Sequence, residues 1–444
     1  MSYSTLSDRQ VPLRTALDHD QAQYRLWLMC VYAVVVGTLT FNFALAFANT
    51  NAFRISESYV ILSEMGLLSA ALFLIILSRN SMLFLLLVLY FSYVALVLAL
   101  RPELDLKAIR DFLIPIVFYF IGKRFKRIED ADRLVWISTA IVLSVAFFEY
   151  FFLDLYTRMV SIFDYYVARG TLTADANFVE GSNLFVSSTR IGGRNFLAFL
   201  GDVRASSVFL EPVTMGNFGA FLCLWALFRS GMKHRALMFL AAFAAVILPD
   251  ARFGMFVCIA LVAAAAAGLV LPRITWWSLP VLILFALGIY GGWNTELNWT
   301  DDLGGRLLHA SQLLQEVTPE ILFGVAANVP FLADNGFAYS LAQIGVVGLL
   351  GLWTCYIFAP YEDQRAIQFK ALAATYIALL MTISNSFYSI KMAALFWVAA
   401  GAADAMRSRQ LTNPHNQRQR DTGSVLLPPL AGSPAYGRVE RISR

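Results

Sequence analysis

Twelve apolar runs divide this chain, at about 26–47, 58–78, 81–100, 106–122, 134–154, 208–228, 235–250, 253–272, 276–293, 335–358, 368–385 and 387–405. A helix that spans a bilayer needs about 20 apolar residues in a row, because hydrocarbon offers no partner to its backbone. Most of the runs reach that length, and charged residues make up only 14% of the chain, against about 25% in water-soluble domains. The pattern predicts an all-α polytopic integral membrane protein, with about 12 transmembrane helices over residues 26–405. The fourth run is the weakest: its core "DFLIPIVFYFIG" is short, and Pro115 would kink a helix.

Basic residues orient the bundle. With residues 1–25 in the cytoplasm, the inside connections are Arg79, "GKRFKRIEDADR" (122–133), "RSGMKHR" (229–235), Arg273, "YEDQR" (361–365) and the tail from Arg407. This is the positive-inside pattern, and an even number of spans returns both termini to the cytoplasm. Residues 406–444 have no sustained apolar period and read as a disordered cytoplasmic tail. The same orientation puts two long loops outside, 155–207 and 294–334. Their aromatic and leucine content argues against disorder. "YTRMVSIFDYYVARG" predicts an amphipathic helix, and "GGRLLHASQLLQEVTPEILFG" a helix lying at the membrane surface. Cys30, Cys223, Cys258 and Cys355 each lie inside an apolar run, without metal-ligand spacing, and read as small buried hydrophobes.

The outer loops carry Arg158, Arg169, Arg190, Arg194, Arg204 and Arg306, and Arg252 joins them in the short turn "PDARFG". Translocation disfavours basic residues, so arginines kept here need a reason. A guanidinium presents a planar fork that matches phosphate and carboxylate oxygens. Several at the outer surface would suit a lipid-linked pyrophosphate or an acidic sugar polymer. For any single loop arginine, solvation or pairing with Asp164, Asp175, Glu180 or Asp202 is the better explanation. Arg204, Arg252 and Arg306 stand out, each near a membrane boundary beside small residues that let a ligand approach.

Glu211 sits one turn into the sixth run. A carboxylate there is a functional candidate, and equally an N-terminal acid favoured by the helix dipole, with Pro212 fitting the first turn. "ADNGFAYSLAQIG" supplies Asp334, Asn335 and Tyr339, with Gln343 on the face of Tyr339. Asn217 and Arg194 add polar groups. His309 falls among polar residues and reads as solvent-exposed, and Lys391 either snorkels outward or reaches an anionic ligand. There is no Walker A loop, no G-x-S-x-G, no H-E-x-x-H and no outer D-x-D pair. A transferase built from these residues would be metal-independent, with no cofactor, and would use a lipid-phosphate donor.

Four segments in series carry a family resemblance. "VRASSVFLEPVTMGNFGAF" is similar to R-x-S-G-x-F-x-E-P-x-x-x-G, with Ser207 where glycine is commonest. "LPDARFGM" is similar to S-x-S-R-x-G, with Pro249 and Ala251 in the serine positions. "GGRLLHASQLL…PEILFGVAANV" is similar to R-x-x-x-W…P-x-x-x-x-G-x-G, with Ala310 and Ala326 replacing the Trp and the last Gly. "ADNGFAYSLAQIGVVGLLG" is similar to H-N…L-x-x-x-G-x-x-G, with Asp334 in place of the histidine. Over residues 100–350 the chain thereby resembles the bacterial Wzy-type polysaccharide polymerases and the related O-antigen ligases, and among them the xanthan-type exopolysaccharide polymerases are near in length.

The resemblance implies a GT-C-like helical fold in the bacterial inner membrane, with its active site on the periplasmic side. A growing glycan on undecaprenyl pyrophosphate would be transferred to a lipid-linked repeat unit. Arg204, Arg252 and Arg306 would hold the pyrophosphate as charge builds on it. Glu211, then Asp334, would serve as base. Asn335, Tyr339, Arg194 and Asn217 would contact glycan. Expected partners are membrane lipid, the undecaprenyl-pyrophosphate-linked oligosaccharide, and a flippase and chain-length regulator of the same pathway, with no nucleic acid. Asp334 in place of histidine favours polymerase over ligase. A transporter or flippase for a lipid-linked sugar is the rival from another class, and would need paired broken helices at the bilayer midplane.

Overall fold

The computed structural model describes residues 10–101, 105–176, 182–190, 193–194, 197–294, 303–326, 332 and 334–406. The first five helices are α1 (Gln10–Asn51), α2 (Glu57–Ile76), α3 (Ser81–Leu100), α4 (Leu106–Lys123) and α5 (Ile128–Phe151). The first long loop supplies α6 (Leu153–Met159) and α7 (Ile162–Ala168). Then come α8 (Pro212–Phe228), α9 (Arg235–Ile247), α10 (Arg252–Ala267) and α11 (Arg273–Trp293). The second long loop gives α12 (Leu303–Gln315) and α13 (Pro319–Leu322), and α14 (Gly336–Ile357), α15 (Arg365–Ile383) and α16 (Ile390–Asp404) finish the bundle. Among the described residues the sole β pairing is one antiparallel bridge, Thr189 with Val203.

Each of the twelve apolar runs becomes a helix. Seven of them, α1, α2, α3, α5, α11, α14 and α15, are long and apolar enough to cross a membrane by length and composition. The protein is therefore all-helical among its described residues, with the build of a multi-pass membrane protein. The remaining five are shorter or more polar: α8, α9, α10 and α16 have 17, 13, 16 and 15 residues, and α4 carries Lys107, Arg110, Asp111 and Lys123.

Burial separates an inner group of helices from an outer one. All of α16 and nearly all of α8 and α15 are buried. α2, α3 and α11 turn Leu62, Phe73, Val88 and Phe285 outward, as a lipid-facing surface would. The weakest run, α4, is held by its neighbours rather than by hydropathy: twelve of its 18 residues are buried. A Cβ on Gly122 would strike the backbone of Val398, and one on Gly401 would strike the backbone of Tyr119. Small residues thus bring the α4 and α16 backbones together, a close-packing device of membrane helices.

Several expectations change. α1 begins at Gln10, well ahead of the apolar run it carries. The single amphipathic helix expected at 156–170 is two, broken at Val160–Ser161. There Val160 is extended, and the Ser161 hydroxyl donates to Asp164 (2.7 Å). α12 forms as expected, but buries Leu308 and Leu313 against protein, packing on α11 and α15. Cys30 and Cys355 are exposed, because they fall on outward faces of α1 and α14; only Cys223 is buried. Helix α14 breaks at Gly345 (φ 62°), whose backbone meets Phe323 and Gly324. The expected disordered tail falls outside the described residues, apart from Met406.

Candidate functional site

The segment before α8 is built to hold still. Glu149, near the end of α5 and fully buried, accepts from the backbone N–H groups of Ser206 (2.8 Å) and Ser207 (2.6 Å). The Ser207 hydroxyl donates to the Val142 carbonyl (2.6 Å). Ser207 and Leu210 adopt φ of 53° and 64°, in the left-handed region that favours glycine. Glycine is also what the resembled motif carries at position 207. On the N-terminal side, Arg204 N–H donates to the Ser188 carbonyl, and Arg190 N–H to the Asp202 carbonyl. This brings two distant arginines of one loop side by side.

A second turn completes the arrangement. Asp250, fully buried with φ 50°, precedes α10, and Arg252 is the first residue of that helix. A Cβ on Gly216 would strike Ala251 Cβ, and one on Gly254 would come within 2.9 Å of the Gly216 carbonyl. Only residues this small let the starts of α8 and α10 cross so closely. The result is a cleft of about 480 Å³ lined by Arg190, Arg204, Asn217, Asp250, Arg252 and Arg306. The three arginines singled out from sequence, and Asn217, share this cleft. Arg204 is 3% exposed and gives Nε to the Pro249 carbonyl (2.6 Å) and a terminal nitrogen to that of Ser187 (2.8 Å). Arg190 stands 3.5 Å from Asp250. Among the described residues four guanidinium groups and one carboxylate line the cleft, and Arg190, Arg204, Asp250, Arg252 and Arg306 all hold further contacts within the chain.

Glu211 is not in that lining. It is the N-cap residue of α8, whereas Val213 and Asn217 of the same helix line the cleft. Its carboxylate accepts from the Tyr166 hydroxyl (2.5 Å) and the Thr214 hydroxyl (3.1 Å) and stands 3.6 Å from Lys391 Nζ. Lys391 also donates to the Phe209 carbonyl (3.3 Å) and is 6% exposed, so it neither snorkels nor reaches out. Burial pushes the Tyr166 phenol well above its ordinary range, which keeps it a proton donor to Glu211.

The second loop adds an adjoining opening, lined by Arg306, His309, Asp334 and Ile383. Arg306 and Ile383 also line the main cleft. His309 Nε2 lies 3.6 Å from Asp334, and both are well exposed. A polar residue expected to be merely solvated therefore stands beside the acid that replaces the motif's histidine.

The remaining candidates serve structure. Asn335 is fully buried: it caps α14 by accepting from Phe337 and Ala338 N–H, and donates to the Ala310 carbonyl (3.0 Å). Arg194 clamps the carbonyls of Val203 (2.7 Å) and Leu248 (3.0 Å) and also reaches that of Ile247. Tyr339 donates to Asp111 (2.8 Å), which in turn accepts from Arg110 (2.7 Å), itself paired with Glu64. Gln343 follows on the same face and accepts from Arg101 (3.4 Å). Sequence reasoning missed Glu149, the Arg110–Asp111–Glu64 group and the partner role of Asp250. The signal for the first two was present, as lone ionisable residues inside or bordering apolar runs.

Comparison with protein-family models, curated proteins and solved structures finds no match to the chain.

Proposed function

We propose that the chain is a polysaccharide polymerase of the Wzy type. In this reading it is a twelve-span, GT-C-like protein of the bacterial inner membrane with cytoplasmic termini. It transfers a growing glycan from undecaprenyl pyrophosphate to a lipid-linked repeat unit at the periplasmic face. One observation carries the proposal: Arg204, Arg252 and Arg306, separated by up to a hundred residues, line one cleft with Arg190. The cleft suits a dianionic leaving group, because preorganised donors stabilise charge that develops as the glycosidic bond breaks. The left-handed Ser207 and the Gly324–Gly345 contact lend the resembled motifs a physical reason.

The role of base goes to Asp334 with His309, beside Arg306, rather than to Glu211, which is occupied by Lys391, Tyr166 and Thr214. The acceptor hydroxyl loses its proton to this pair as it attacks the anomeric carbon, and the pyrophosphate departs into the arginines. A histidine at this place also keeps the ligase reading in view, since the two differ only in acceptor. The transporter reading draws on one broken helix among the described residues, α14, and its break makes room for protein backbone.

The test is the lipid-linked glycan of cells lacking this chain, complemented with wild type, Arg252→Ala, Arg306→Ala or Asp334→Asn. Single repeat units on lipid at the outer face, without polymer, support the polymerase. Full-length polymer left on undecaprenyl points to the ligase. Units trapped at the inner face overturn the reading in favour of a flippase.

A further inference from the structure

A second recess, which shares no lining residue with the arginine cleft, runs along the bundle from Met381, Phe387 and Tyr388 to Tyr356. Ile383, at the end of α15, lines the arginine cleft, whereas Lys370 lies 13 residues earlier on the same helix, about 20 Å away at 1.5 Å per residue. Helices α3, α4, α14, α15 and α16 line an open apolar groove, with Phe112, Ile116, Leu352, Ile377, Tyr356 and Trp397 in its walls.

Two features of this groove ask for a ligand with a polar end. The Tyr356 hydroxyl and the Trp397 indole N–H are buried with no hydrogen-bond partner among the described residues, on rings 4.9 Å apart and each 7% exposed. Tyrosine and tryptophan normally find a partner when buried. The groove's end is also basic. Lys370 Nζ lies over the Tyr356 ring (4.7 Å) and bonds Asp404 (2.7 Å) and the Tyr356 carbonyl. Lys123 donates to the Pro360 carbonyl (3.2 Å). Arg273 stacks on Tyr361 (4.1 Å) and has one buried guanidinium nitrogen without a partner. Trp353, another wall residue, donates to the Trp277 carbonyl one turn beyond Arg273, which ties Arg273 to the groove. Three cations share this end with Asp404, which is buried, and with Glu362, whose backbone N–H donates to the Asp404 carbonyl.

We propose that the groove binds an anionic diacyl phospholipid from the leaflet on the Arg273 side. One acyl chain lies against the apolar wall. An ester oxygen accepts from Tyr356 and Trp397, and the phosphate meets Arg273 and Lys123. Basic pockets between membrane helices recognise anionic headgroups by this combination of charge and depth. The site is separate from the arginine cleft and does not depend on the activity assigned to it.

The experiment is a titration of the detergent-purified full chain with phosphatidylglycerol or phosphatidylcholine, read by melting temperature and by lipid retained in native mass spectrometry. Phosphatidylglycerol is expected to raise the melting temperature and stay bound, with phosphatidylcholine far weaker. Arg273→Gln should raise the half-saturating phosphatidylglycerol about tenfold, the loss expected of one charge-assisted hydrogen bond. The conservative pair Tyr356→Phe with Trp397→Phe, which keeps the packing, should weaken binding by a similar factor. Arg79→Gln, a basic residue of the α2–α3 turn, should change nothing. Equal binding of the two lipids overturns the proposal, as does wild-type binding by the variants. So does a polyprenyl phosphate that occupies the groove and resists displacement by phosphatidylglycerol.

Discussion

The two charged clusters on either side of the α8 N-terminus are made of similar residues and arranged in opposite ways. On one side four arginines and Asp250 line an open cleft. On the other, Glu211 meets a lysine, a phenol and a hydroxyl, so that charge is met by charge and each lone pair by a donor. A cluster balanced within itself is a structural joint, since removing one member leaves the other buried and uncompensated. A cluster that lines a cleft is open to a ligand as well as to its partners within the chain. Residue type alone does not separate the two; whether a cleft opens onto each does.

The most severe way to break this contrast is at the cleft. Arg306→Ala and Arg252→Ala should each lower polymer formation about 10²-fold, as loss of one preorganised donor does elsewhere, with membrane protein level unchanged on immunoblots. Lysine at either place should recover only a part, because an ammonium lacks the planar fork. Normal polymer in both alanine variants would remove the cleft from the chemistry.

Next comes the joint. Lys391→Ala strands Glu211, and should cost about 2 kcal/mol, a figure below the usual range for a buried pair because the Glu211 side chain is 30% exposed. The double change Lys391→Met with Glu211→Gln should restore most of the melting temperature. If the double variant melts like wild type yet makes no polymer, Glu211 belongs to the reaction after all. A smaller effect is expected at the α14 cap. Asn335→Ala should destabilise by about 1–2 kcal/mol through loss of the cap and of the bond to Ala310, while polymer length distribution stays the same. The smallest is Ser207→Gly: it relieves the left-handed backbone and loses the bond to Val142, so the net change should be within about 1 kcal/mol. A large loss there would mean that the hydroxyl, and not the turn, is what the position needs.

The helices were legible in the sequence because hydropathy is a local property, and a run of leucine, valine and phenylalanine can satisfy its backbone in lipid only as a helix. The gathering of Arg204, Arg252 and Arg306 was legible from their shared position at membrane boundaries beside small residues. What the sequence concealed was direction. Glu211 and Asn217 are six residues apart, yet Asn217 lines the cleft while Glu211, the N-cap of α8, meets Tyr166, Thr214 and Lys391. Tyr339 and Gln343 do share a face, as their spacing requires, but it is the face toward α3 and α4. Spacing assigns residues to a common face; only the packing of other helices says what that face meets. Glu149 was hidden for the same reason, its two partners lying almost sixty residues further on.

The close contact of α4 with α16 has a consequence for biogenesis. α4 is too polar to rank with the seven apolar spans, and the helix whose backbone it meets at Gly122 and Gly401 is the last among the described residues. About 270 residues separate the end of α4 from the start of α16, so at about 5–20 residues per second the ribosome delivers the partner roughly 13–55 s after α4 has emerged. For that interval α4 must wait beside the translocon or a chaperone with Arg110 and Asp111 unsheltered by the finished bundle. A chain truncated before Ile390 should therefore be recognised as unfinished from a helix completed long before the cut.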